Sequence, residues 1–85
     1  MKMQKEKQFE KYETMMSVFG ELDENIEKLT DAFDVDVFAL GTSVKVSGEE
    51  KDVDGAIRAI DALEKLCKTQ PLNAQTVNMV IGYAK

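Results

Sequence analysis

An 85-residue chain with 44% hydrophobic and 32% charged side chains can build one small core but no enclosed catalytic chamber, because a chain of this size buries only about 60% of the surface its unfolded form exposes. Eleven Lys+Arg against sixteen Asp+Glu leave a net charge of −5, the wrong sign for a protein whose affinity comes mainly from neutralising phosphates. With no His and a single Cys, Cys67, the sequence excludes His-based acid–base chemistry, His-ligated metals and an intramolecular disulfide, and a reducing cytoplasm is the expected compartment.

No apolar run reaches the roughly 18 residues of a membrane span, and residues 1–8 are too polar for the apolar region of a signal peptide. A soluble, uncleaved chain without a membrane partner is the expectation. Charge is unevenly distributed. Residues 1–19 carry a net +1, residues 37–85 balance six acids with six bases, and residues 20–36 hold Glu21, Asp23, Glu24, Glu27, Asp31, Asp34 and Asp36 against Lys28 alone.

Residues 3–9 open the chain with a thin pattern compatible with an edge strand. Phe9, Tyr12, Met15, Met16 and Phe19 then recur at steps of three and four, which predicts a helix over roughly 10–19. Gly20 interrupts it. Ile26, Leu29 and Phe33 repeat the helical spacing, with Asp23 as the expected N-cap and acids in the first turn to suit the helix dipole. Val35-Asp36-Val37-Phe38-Ala39-Leu40, then Gly41-Thr42-Ser43, then Val44-Lys45-Val46-Ser47-Gly48 predict a β-hairpin. Its first strand has Val35, Val37 and Ala39 on one face and Phe38 and Leu40 on the other, which predicts covering on both sides.

From Glu49 onward Val53, Ile57, Ile60, Leu63 and Cys67 return at helical steps, making this the longest predicted helix. Pro71 cannot continue it and pushes Gln70 towards an extended conformation. Asn73 is a good N-cap for a final helix over 73–84, with Val77, Val80, Ile81 and Ala84 in one apolar stripe. A core unit over 10–68 and this helix make one α+β domain over 1–85, with a small antiparallel sheet of two strands, or three if residues 3–9 join its edge.

Few residues suggest chemistry. Cys67 lies on the apolar stripe of a long helix with no base to activate it, so a packed core thiol is expected. Asp23, Glu24, Glu27 and Asp31 lack the spacing of a calcium loop and read as a solvated helix face. The 41–48 stretch has glycines at both ends but alternates as a strand, without the Lys-Ser/Thr of a P-loop. Met15, Met16 and Met79 sit at helical spacing, as core filler does. An enzyme is not expected, and no catalytic, metal or cofactor residue is assigned.

The most specific stretch begins at Gly20. A helix, Gly20-Glu21-Leu22-Asp23, a helix carrying Asn25-Ile26, an extended Val35-Asp36-Val37, a hairpin ending in Val46-Ser47-Gly48 and a long helix with Ala56 and Ile57 together resemble a KH module of the type I order. In that family a GxxG loop between two short helices clamps a nucleic-acid backbone, beside a groove that holds about four bases. The resemblance assigns Gly20, Glu21, Leu22, Asp23, Asn25, Ile26 and Lys28 to a nucleic-acid-binding site. Asp23 stands where the second glycine would be, and carboxylates in the loop repel a phosphodiester.

A narrower resemblance covers about residues 15–85. Phe19-Gly20-Glu21-Leu22-Asp23-Glu24-Asn25-Ile26-Glu27-Lys28-Leu29, the hairpin with Gly41, Ser47-Gly48-Glu49-Glu50-Lys51-Asp52-Val53 and Leu72-Asn73-Ala74-Gln75-Thr76-Val77 are similar to the N-terminal KH-like region of PhoH-like proteins. That similarity implies a cytoplasmic, phosphate-starvation-associated protein linked to RNA metabolism, whose P-loop ATPase domain, with its ATP and Mg²⁺, would follow this excised N-terminal domain and is absent from these residues. Two functions are expected from it. One is an accessory module that binds single-stranded RNA weakly. The other is a docking or homo-oligomerisation module, in which the acidic stretch and the Phe38–Leu40 face meet the ATPase domain or another subunit.

Overall fold

The computed structural model describes residues 2–85, and at position 21 the backbone only. Strand β1 spans Lys2–Gln8, helix α1 Tyr12–Phe19 and helix α2 Glu24–Phe33, with a 3-10 turn at Glu21–Asp23 between the helices. Strands β2 (Asp36–Leu40) and β3 (Ser43–Glu49) follow, then helices α3 (Glu50–Cys67) and α4 (Ala74–Ala84). The strands form one antiparallel sheet in the order β1-β3-β2. The fold is α+β, with the element order and sheet topology of a KH-like domain.

Residues 3–9 do supply the third strand, although β1 reads Lys-Met-Gln-Lys-Glu-Lys-Gln with hardly an apolar residue. An antiparallel ladder with β3 along its whole length holds it in the sheet, and ion pairs to α3 add to that hold. Register places Lys5 opposite Val46 and Lys7 opposite Val44, on the face that α3 covers. There Lys5 pairs with Asp54, and Lys7 Nζ reaches Asp61 at 2.9 Å and Glu64 at 2.8 Å. The long Lys stems lie along the sheet while their ammonium groups stay at its rim. The end of β1 is clasped to the hairpin: Phe9 N donates to the Thr42 carbonyl at 2.9 Å, Gln8 Nε2 donates to Thr42 Oγ1 at 2.6 Å, and Ser43 Oγ donates to Gln8 Oε1.

The hairpin turns through Gly41 and Thr42, between the paired residues Leu40 and Ser43. Only Gly41 takes a positive φ, +63°, as a two-residue turn with glycine first requires. The core lies between the inner sheet face and the helices. Val44 and Val46 from β3, Leu29 from α2, Val18 from α1, Val53, Ile60 and Leu63 from α3 and Val77 from α4 are fully buried. α3 is the central element, touching β1, β3 and the other three helices. Asn73 caps α4 as expected, its Oδ1 accepting from Thr76 N at 2.8 Å.

Four expectations change. Phe38 and Leu40 are 61% and 65% exposed, so β2 is not covered on both sides: α4 packs on α3 and α2 instead of crossing to the far face. The 10–19 helix begins at Tyr12, and its core side is Met15, Val18 and Phe19, leaving Tyr12 and Met16 exposed. Met79 is exposed as well, so of the three methionines only Met15 fills the core. Asp23 holds the N-cap position of α2 but makes no side-chain cap bond. At φ 59° and ψ 26° its backbone is left-handed, not the extended conformation from which a capping oxygen reaches the amides of the first turn.

Candidate nucleic-acid interface

The junction between α1 and α2 is built around Gly20. Its N–H closes α1 by donating to Met16 O at 3.0 Å, and its φ of 82° with ψ of 173° lies in a region open essentially to glycine alone. Leu22 and Asp23 follow in left-handed conformation, φ 55° and 59°, and Asp23 N donates back to Gly20 O at 3.2 Å. Three residues of positive φ within four positions, Gly20, Leu22 and Asp23, make a tight loop that points its middle outward. Leu22 is 93% exposed at its tip, a position where a bulky side chain gains no burial and bears the strain of the left-handed backbone.

The predicted site residues separate in space. Asp23 and Leu22 face solvent on the loop, while the side chain of Glu21 lies outside the described structure. Asn25 is turned inward and buried, its Nδ2 donating to Val18 O at 3.0 Å, so its amide ties α2 to the end of α1. Ile26 is half-buried against the core, and Lys28 is half-buried one turn into α2.

Beside the loop runs a groove of about 340 Å³ lined by Tyr12, Met15, Met16 and Phe19 from α1, Asp23 from the loop, and Ala39 and Gly41 from the hairpin. Its lining is a nearly even mixture of apolar side chains and polar surface, the Asp23 carboxylate included. Of the residues anticipated for binding, only Asp23 contributes to it. Tyr12 and Met16 were read as helix core because their i,i+4 spacing matches a buried stripe. The signal that separates them from Met15 and Phe19 is angular: Tyr12 and Met16 lie at one edge of the apolar arc of α1, away from its buried centre at Met15, Val18 and Phe19.

A larger depression, about 580 Å³, lies at the start of α3 among Glu49, Glu50, Lys51 and Asp54. It is an open surface lined by charged side chains; the α1–β2 groove is the one that adjoins the Gly20 loop. Cys67 packs at the margin of the core, its Sγ donating to Glu64 O at 3.1 Å. Burial, reinforced by the charge of Glu64, pushes its thiol above the ordinary 9.0, the reverse of what a nucleophile needs. Among the described residues no helix is long and apolar enough to cross a membrane. No protein-family profile, curated protein or solved structure matches this chain.

Proposed function

We propose that this chain is the KH-like accessory domain of a PhoH-like cytoplasmic ATPase, that it binds single-stranded RNA weakly in the α1–β2 groove, and that it performs no catalysis of its own. The observation that carries the proposal is the position of the groove. It runs between α1, the Gly20 loop and the edge of β2, where a KH module holds its bases. Tyr12, more than half exposed on its wall, offers a stacking face of a kind that contributes about 1–3 kcal/mol per base. The phosphodiester passes the loop, with Lys28 as the nearby cation and the Asp23 carboxylate opposing it. Affinity therefore rests on stacking and apolar contact, and salt changes it little. ATP and Mg²⁺ belong to the P-loop domain that the resemblance implies.

The test is a fluorescence titration with a mixed single-stranded RNA pool at about 50 mM salt, where phosphate contacts are most favoured. The expected result is a Kd tighter than about 10 μM, weakened at least about fivefold by Tyr12→Ala. No binding at that salt overturns the RNA assignment.

A second function is favoured by two exposures. Leu22 at the loop tip and the Phe38–Leu40 pair on the open sheet face are large apolar groups that water does not favour, beside acidic residues. A docking module would use them against its own ATPase domain or another subunit. Phe38→Glu would then abolish association, while RNA affinity stays negligible in every variant.

A further inference from the structure

We propose that the free edge of β2 takes up an extended peptide segment as an added strand of the sheet, the segment carrying Lys or Arg on either side of a short alternation of apolar residues. The inference rests on the docking function read from Phe38 and Leu40, and gives it a mode of contact and a partner chemistry.

The two edges of the sheet are built differently. β1 carries Lys2, Lys5 and Lys7 along its length, and charged residues, lysine above all, are how a sheet edge is guarded against pairing with another chain. β2, Asp36-Val37-Phe38-Ala39-Leu40, has no lysine, proline or glycine to guard it, and it touches only β3 and α2. The two-residue turn at Gly41 and Thr42 makes Leu40 and Ser43 a hydrogen-bonded pair, and the alternation of an antiparallel ladder gives Phe38 and Asp36 the same role. The N–H and C=O groups of Val37 and Ala39 therefore point away from β3. Among the described residues no turn, cap or loop bond reaches them, so two donors and two acceptors stand ready for an incoming backbone.

An added strand finds apolar contact on both of its faces. Phe38 and Leu40 are more than half exposed on the outer side of the sheet. On the inner side Ala39 is exposed and lines the groove with Tyr12 and Met16. Alternate side chains of the segment thus meet Phe38 and Leu40 on one side and the groove on the other.

The ends of the edge set the charge of its occupant. Exposed carboxylates of Asp34 and Asp36 stand where β2 begins, and that of Asp23 lies where it finishes, beside Ala39 and Gly41. Lys45, paired with Phe38 across the ladder, is the cation at mid-strand on the outer face. Acid at both ends with apolar groups between them complements a basic–apolar–basic segment. A second copy pairing its own β2 antiparallel to this one would set each Asp34–Asp36 end against the other's Asp23 end, acid on acid twice. A five-residue edge covers less than a standard interface, so the complex is weak, with a Kd of about 10–300 μM.

The probe is a capped peptide, Lys-Arg-Val-Thr-Val-Thr-Val-Arg-Lys, titrated into the whole chain at about 50 mM salt and followed by calorimetry and backbone amide exchange. Saturable binding in that range is expected, with the Val37 and Ala39 amides protected. The same peptide with Glu at every basic position should bind at least about tenfold more weakly. N-methylation of the alternate residues whose amides face β2 should abolish binding, while methylation of the intervening ones should change it less than about twofold. Ala39→Pro removes a free-edge N–H without taking a bond from the ladder, and should weaken the peptide at least about fivefold at an unchanged Tm. If that variant misfolds, the methylated peptides test the same bond on the wild-type chain. Asp23→Gly should weaken the peptide about two- to fivefold, opposite in sign to its effect on RNA. No binding up to about 1 mM, or equal affinity for the acidic peptide, overturns the proposal. Peptide binding that Phe38→Glu abolishes but N-methylation in either register leaves intact removes the added strand and keeps the docking function; association indifferent to Phe38→Glu removes the docking function itself.

Discussion

The amide of Asn25 occupies the space that any side chain at Gly20 would need: a Cβ there would stand 2.7 Å from Asn25 Nδ2 and 2.9 Å from its Cγ. The same amide holds the Val18 carbonyl at the end of α1. Loop geometry and helix docking are therefore one arrangement, with the glycine supplying both the backbone conformation and the vacancy. Gly20→Ala should lower stability by about 2–4 kcal/mol, from the φ/ψ penalty and the clash together. Asn25→Ala should cost about 1–3 kcal/mol by leaving a buried carbonyl unpaired. In urea denaturation of the double variant the losses should fall short of additive, because the clash disappears with the amide. Strict additivity would show that the two residues do not share this space.

The loop charge can be tested without disturbing the fold. Asp23→Gly removes a carboxylate from the groove and places glycine at φ 59°, which it accepts freely. RNA affinity should rise about 3- to 10-fold at low salt, by the Coulomb energy of one charge at a solvated surface, and thermal stability should not fall. Lys28→Ala should weaken binding by a comparable factor. The check is the same fluorescence titration, and opposite signs for the two variants are the diagnostic outcome.

Leu22 is held at φ 55° with its side chain 93% exposed. Leu22→Gly should stabilise the domain by about 1 kcal/mol, relieving left-handed strain at no loss of burial. If Leu22 is the apolar tip of a docking surface, the same variant loses its partner while melting higher. Thermal denaturation and association measured together separate strain kept for function from strain that is merely tolerated.

Lys7 sits between Asp61 and Glu64. Burial pulls its pKa down, but hydrogen bonds and charge from the two carboxylates outweigh that and hold it above 10.5. A lysine raised in the folded state stabilises fully below its unfolded pKa, and this contribution is lost as pH climbs through the folded value. Lys7→Met should cost about 1–2 kcal/mol near neutral pH and should flatten the decline in urea midpoint above pH 10.5. Cys67, also raised, contributes a separate decline that begins near 9.0 and disappears in Cys67→Ala. An alkaline limb unchanged in Lys7→Met would mean that the ion pairs do not anchor β1.

Much of the architecture is present in local pattern. The i,i+3/i+4 series from Val53 to Cys67, the break at Pro71, the Asn73 cap and the β-formers around Gly41 each specify an element within a few residues, because helix and strand periods are properties of neighbouring positions. The KH order follows from that sequence of elements. Strand β1 is different. Its polar residues have no local reason to be extended, and its place is set by the ladder with β3 and by ion pairs to Asp54, Asp61 and Glu64, some fifty residues away.

The candidate site divides the same way. That Gly20 breaks two helices is evident from residue type. Which side chains stay exposed beside the groove is not, since Tyr12, Met15, Met16 and Phe19 carry the same helical signal, and only tertiary packing decides that Met15 and Phe19 are buried while Tyr12 and Met16 stay open. Asn25 looks like a polar site residue until tertiary packing gives it the Val18 carbonyl. By itself the sequence determines the elements, their order and the acid of the loop, because those reside in consecutive residues. The tertiary structure alone decides which apolar faces stay open, at Phe38 and Leu40, at Tyr12 and Met16, and at Met79 and Tyr83. Burial is a property of what packs opposite, and a single small core lacks the elements to cover every apolar face its chain presents.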